Sequence, residues 1–169
     1  MGKIQNVRET KTHIYFWNGV FSNFYKIEFE YKGHIFASTE QAFMWEKANF
    51  FHDSNVAEEV LRTTVPIEAK RLGRKVKNFD EDDWMDVCRD YMYAVNLEKW
   101  KLMKDILLST GNKILVEASP YDKIWGVGLG ENNDLILDEK NWKGTNFLGE
   151  VLMQVRVTLN ELKVSNFFD

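Results

Sequence analysis

The sequence predicts an α+β fold: one compact, mostly helical domain over residues 1–169 with a small sheet or hairpin. Three observations lead there. Ile27, Phe29 and Tyr31 alternate with Glu28, Glu30 and Lys32, the period of a half-buried strand, and Lys32-Gly33 can turn it into His34-Ile35-Phe36 as a hairpin. Trp84, Val87, Cys88, Tyr91, Met92 and Val95 recur at helical spacing, as do Leu148, Val151, Leu152, Val155, Leu159 and Leu162 near the end. No internal repeat, low-complexity run or linker interrupts the chain, and 169 residues with 44% hydrophobic content suffice for one real core.

Taken in order, His13 to Phe16 reads as a short strand. Trp17-Asn-Gly-Val turns, and Phe21-Ser22-Asn23-Phe24 follows as an aromatic, polar loop. The hairpin then delivers the chain to a helix opening at Ser38. Ser38 is a good N-cap, and Gln41 three residues later completes an S-x-x-Q capping box. Glu40 falls in the first turn, where the helix dipole and unpaired N–H groups favour a carboxylate. Lys47 returns to nearly the same face roughly 10 Å further along, with Phe43 and Met44 between as an apolar floor. On spacing alone, ordinary helix decoration accounts for both charges.

Val56, Val60 and Leu61 mark a short amphipathic helix. Pro66 suits a first helical position, and Gly73 can end the helix it starts. Lys70, Arg71, Arg74, Lys75 and Lys77 form the densest basic cluster, either a solvated helix end or a phosphate-binding edge. After the acidic turn Asp80 to Asp83 comes the long helical run, which Leu97, Trp100, Met103 and Leu107 continue after a break and Thr110-Gly111 stops. Lys113 to Glu117 reads as a strand with Ile114 and Val116 on one face and Leu115 on the other. Residues 118–130 form a polar, glycine-rich loop, and the last helix begins near Asn146 as its N-cap. Val164 to Asp169 reads as a short tail with exposed Phe167 and Phe168.

Composition narrows the function classes. A net charge of −4 argues against a general nucleic-acid coat but leaves room for a local basic patch. One cysteine removes both a disulfide framework and a cysteine zinc site, and fits a reducing cytoplasm. Cys88 lies on an apolar helical stripe and reads as a core thiol. The N-terminus lacks an apolar signal core and the myristoylation pattern, and no apolar run reaches membrane-spanning length. His13, His34 and His52 are too scattered for a metal site, so no metal is expected. Gly126-x-Gly128-x-Gly130 lacks the spacing and the following helix of a dinucleotide fingerprint; its glycines either bring backbone close to a ligand or serve as turn residues. Asp122 is either a turn-capping aspartate or the second carboxylate of a glycosidic-bond site, with Trp125 stacking on a base or sugar.

Six stretches in order resemble the NADAR domain, or YbiA-like, family: Phe21 to Phe24; Thr39, Glu40, Phe43 and Lys47; Ala69, Gly73 and Arg74; Leu107 to Gly111; Val116, Glu117, Asp122, Trp125 and Gly126; and Asn146, Leu148, Gly149, Leu152, Met153 and Arg156. The resemblance spans Tyr15 to Leu162. Many members carry Lys-Phe in the helix before the Leu-Leu-x-Thr segment; counting back from Thr110, this chain has Asn96-Leu97 there.

The resemblance implies hydrolysis of an N-glycosidic bond between ribose C1 and an exocyclic amine of a guanine-like ring. The implied substrate is ADP-ribosylated guanine, in DNA or as a nucleotide, or a ribosylamino-pyrimidine phosphate of riboflavin synthesis. It implies Glu40 and Asp122 as proton-transfer groups and Lys47 as nucleophile or stabilising cation. Trp125 with Phe24 or Phe43 would sandwich the base, and Gly126 would approach it. Asn23, Arg74 and Asn146 would bind sugar or phosphate. Glu40, Lys47 and Asp122 are expected to converge on one cavity, without cofactor, membrane or obligate protein partner. A domain that binds ADP-ribose or NAD without cleaving it would need the aromatic and phosphate contacts but not that trio.

Overall fold

The computed structural model describes residues 4–165. The expected exposure of Phe167 and Phe168 lies outside the described residues. The fold class is as predicted: among the described residues there are six α-helices, three-residue and four-residue strands, and two short 3-10 turns. None of these helices is long and apolar enough to cross a membrane. The chain divides into two compact units, one discontinuous (residues 1–22 and 103–169) and one continuous (residues 23–102).

The discontinuous unit is built on a three-stranded sheet of β1 (Val7–Glu9), β2 (His13–Phe16) and β5 (Ile114–Glu117), in the order β1-β2-β5. β2 runs antiparallel to β1, with Val7 opposite Phe16, and parallel to β5, with His13 opposite Ile114. Leu115 and Val116 are both fully buried, so β5 is covered on both faces. One core gathers Tyr15, Val116, Ala118, Val127, Leu129 and Ile136, with Trp142 packed on it. The final helix, α6 (Phe147–Ser165), packs on β5 through Leu148, Val151, Leu152 and Val155. The predicted stripe holds through Leu159, but Leu162 is 47% exposed. Gly149 permits the close docking: a Cβ there would fall 2.0 Å from the carbonyl oxygen of Leu115. Arg156 ties α6 to the end of α5 (Lys104–Ser109) by donating from Nη1 to Thr110 Oγ1 and to the Lys113 carbonyl, each at 2.8 Å.

The continuous unit opens with the predicted hairpin, β3 (Phe29–Tyr31) and β4 (His34–Phe36). Lys32 and Gly33 take φ of 50° and 79°, the paired left-handed conformations that suit a two-residue hairpin turn. Helix α1 (Thr39–Phe50) packs against α2 (Ser54–Arg62), α3 (Pro66–Gly73) and α4 (Glu81–Leu102). The turn lysine reaches α1, where Lys32 Nζ lies 2.6 Å from the buried Glu46 carboxylate. The long run is one helix through Leu102, and the break falls at Met103. Cys88 is buried on it as predicted, and burial raises its thiol pKa.

One local expectation is corrected and another holds. Gln41 does not bond back to the Ser38 N–H: Ser38 Oγ accepts from the Gln41 N–H at 3.2 Å, while Gln41 Oε1 accepts from the Ala37 N–H at 2.8 Å, one residue earlier. Gly73 ends α3, as expected. It is the last helical residue, and its lack of a side chain makes room for α1: a Cβ there would meet Met44 Sδ at 2.0 Å.

Candidate active site

In the continuous unit, α1 carries the acid and the amine as the sequence spacing required. Glu40 is 6% exposed, and its backbone N–H donates to the Asn23 carbonyl at 3.0 Å. That bond satisfies one of the N–H groups that a helix start leaves unpaired. Lys47 lies two turns on, half-buried, with Nζ 4.0 Å from the centre of the Phe79 ring. Burial first, and the Arg74 charge second, lower its pKa from the ordinary lysine value. Glu40 is not among the groups that move it. Arg74 caps the C-terminus of α3 and is exposed. Among the described residues its side chain makes no ion pair.

The expected aromatic floor is present but interior. Phe43 is 3% exposed, with its ring centre 5.3 Å from that of Trp84. Phe24 is exposed, and Lys70 Nζ lies 5.7 Å from its ring centre. Asn23 is buried. Its Oδ1 accepts from Thr39 Oγ1 at 3.1 Å and Asn96 Nδ2 at 3.3 Å, and its Nδ2 faces Met92 Sδ.

Two residues here escaped the sequence reading. Phe79 follows Asn78, whose φ of 55° turns the chain sharply, and its half-exposed ring seats the Lys47 amine. An aromatic directly after the basic cluster was the available signal. Lys99 is 0% exposed, flanked by Tyr25 and Trp100 with ring centres 5.7 and 5.1 Å from Nζ. Burial lowers its pKa to about 7. Lys99 lies about one helical turn after Asn96, and both side chains are buried on α4.

In the discontinuous unit, Asp122 performs the turn role. Its Oδ1 accepts from the N–H groups of Ile124 and Trp125 at 2.9 and 2.8 Å. Its Oδ2 makes no hydrogen bond with the described residues. Trp125 is half-buried, edge-on to Phe147 at 6.2 Å. Gly126 is buried, and a Cβ there would approach the Glu117 carbonyl oxygen to 2.9 Å. Asn146 precedes α6 at φ of 55° and clips β5: Oδ1 accepts from the Glu117 N–H and Nδ2 donates to the Leu115 carbonyl, both at 2.9 Å.

The NADAR domain profile matches residues 15–160 and so runs through both units. The chain belongs to the NADAR domain family. It is 41% identical over 171 residues to Protein irg-1 of Caenorhabditis elegans, covering 89% of this chain and 81% of that one. It is 39% identical over 145 residues to N-glycosidase R617 of Acanthamoeba polyphaga mimivirus, with 81% and 85% covered. A further relative, 31% identical over 156 residues, is named Riboflavin biosynthesis protein VVA0006 of Vibrio vulnificus, and the match covers 88% of this chain and 39% of that one. Among solved structures, the E. coli protein YbiA superposes with a TM-score of 0.76 at 27% identity, covering 95% of this chain and 92% of that one.

Proposed function

We propose that this NADAR domain is an N-glycosidase that hydrolyses the bond between ribose C1 and an exocyclic amine of a guanine-like base. ADP-ribose attached to guanine, in DNA or as a nucleotide, is the substrate in this reading. The observation that carries it is the state of Lys47. Its amine is half-buried on an aromatic face, with its proton made easier to lose by burial and by Arg74.

An amine in that state suits a glycosylamine. The substrate opens by breaking the C1–ring-oxygen bond, which leaves an imine between C1 and the base nitrogen. Lys47 Nζ adds to C1, and the base departs with its nitrogen as a free amino group. C1 is then held as a lysine imine. Water adds to C1, the C1–Nζ bond breaks, and the sugar recloses as a hemiacetal. One water is consumed and the lysine is restored. Glu40 and Asp122 are the proton-transfer groups, Asp122 through its Oδ2. Arg74 supplies positive charge for a phosphate, and the exposed ring of Phe24 and the half-buried ring of Trp125 suit base stacking.

A second substrate, a ribosylamino-pyrimidine phosphate, has the same glycosylamine linkage and is favoured by the name of the Vibrio relative. The test offers the purified protein both substrates and measures released base, with borohydride added during turnover. A sugar adduct on Lys47 is expected. Base release with no adduct removes the imine route in favour of a two-carboxylate one. Binding of ADP-ribose with no base release from either substrate, and no change on Glu40→Gln, leaves a binding module instead.

A further inference from the structure

The segment that meets the first turn of α1 has no regular structure of its own. Residues 21–28 form turns and irregular chain. Yet Asn23 supplies the carbonyl that fixes the Glu40 N–H. Something must hold Asn23 still, and two buried polar side chains do. Thr39 Oγ1 lies 3.2 Å from the Asn23 carbonyl oxygen and 3.1 Å from Asn23 Oδ1, so its proton serves either. Asn96 Nδ2 donates to Asn23 Oδ1 at 3.3 Å and to the Met92 carbonyl at 3.0 Å. Thr39 and Asn96 are fully buried, and Asn23 nearly so.

We propose that Asn96 and Thr39 are positioning residues that act through Asn23 to set the aim of the Glu40 carboxylate. The inference rests on the reading that Glu40 transfers a proton. Helix α4, 22 residues long, is the rigid reference, and Asn96 is where the irregular segment is pinned to it. The carboxamide at 96 is not there for packing. Its Oδ1 is buried and accepts no hydrogen bond from the described residues, a cost that leucine would not carry. What leucine could not do is donate, and the two Nδ2 protons are both used. Tyr25, two residues past Asn23, lies against Lys99 one turn further along α4, giving the segment a second hold on the same helix.

The test compares Asn96→Leu, Thr39→Val, Thr39→Ser and Glu40→Gln in the full chain, with ADP-ribosylated guanosine nucleotide as the probe. Melting curves confirm that each variant folds. In Asn96→Leu and Thr39→Val, kcat is expected to fall on the order of 10- to 100-fold, the scale of a small misplacement of a reacting group, while KM stays within about twofold. Amide exchange at Glu40 is expected to quicken about tenfold or more while the middle of α1 keeps its protection. Thr39→Ser retains the hydroxyl and restores both values. Unchanged kcat and Glu40 exchange in folded Asn96→Leu and Thr39→Val overturn the inference, with Glu40→Gln inactive showing that Glu40's own role stands. Full turnover in Glu40→Gln removes that role and the inference with it. A KM rise equal to the activity loss, with Glu40 exchange unaltered, also overturns it.

Discussion

Replacing Lys99 with methionine should change the protein's stability by an amount that depends on pH, moving in the variant's favour as pH falls. Lys99 is completely enclosed, and its pKa falls from 10.5 to about 7 on burial. The sign follows from proton binding. Above the unfolded value both states hold a neutral amine, and burial costs nothing in charge. Between about 7 and 10.5 the unfolded chain binds the proton and the folded one does not, so stability falls as pH is lowered through that window. Below it, both states are protonated and the whole penalty is present. At about 1.4 kcal/mol per pH unit, the ceiling is about 5 kcal/mol. Methionine keeps the length and apolar volume without the charge. Nζ also makes interactions that methionine gives up, a cost present across the range, so the expected outcome is a stability difference that shifts toward the variant by about 3–4 kcal/mol between pH 10 and pH 6. Urea denaturation of wild type and Lys99→Met at pH 6, 8 and 10 measures it. A difference that stays constant with pH, or one that moves against the variant as pH falls, would refute the reasoning. Activity is expected to drop in the same variant, since a destabilising buried amine persists where function needs it.

Three further outcomes are expected. Arg74→Gln removes a charge that helps lower the Lys47 pKa, so the acid limb of the kcat/KM–pH profile should move to higher pH, toward the ordinary lysine value; a limb that stays put or moves down contradicts this. Gly73→Ala places a methyl group against Met44 and should destabilise by about 1–3 kcal/mol despite the better helix former, read as a lower urea midpoint. Asn146→Ala leaves the Glu117 N–H and Leu115 carbonyl without their partners; a loss of about 2–4 kcal/mol and a lower Tm are expected, with wild-type Tm as the opposing result.

The elements with strong periodicity were readable in advance. His13 to Phe16, the Lys32-Gly33 turn and the start of α1 stand where pattern and cap chemistry put them. β1 was not, because Val7-Arg8-Glu9 is an edge strand whose order comes from pairing with β2 rather than from its own residues. The turns over residues 134–141 were also missed, since Ile136 and Trp142 enter the core singly, without a period. At the site, spacing alone put Glu40 and Lys47 on one helix. It could not tell that Asn23 and Asn146 spend their amides inside the protein, because a carboxamide that clips backbone and one that meets a ligand look alike in sequence. Lys99 was hidden for a related reason: lysines at 99, 101 and 104 read alike, and only the fold distinguishes the enclosed one.

The chain enters the parallel pair β2–β5 twice, with about a hundred residues between. Closing a loop of that length costs about 4 kcal/mol in chain entropy before any strand contact rewards it. The continuous unit needs no such closure, since its hairpin and helices meet neighbours near in sequence. Its collapse shortens the effective loop, so refolding should order residues 23–102 first and zip β5 onto β2 last. On a ribosome the same order is enforced by direction: β2 emerges about a hundred residues ahead of β5 and waits, unpaired on one edge, until that partner strand follows.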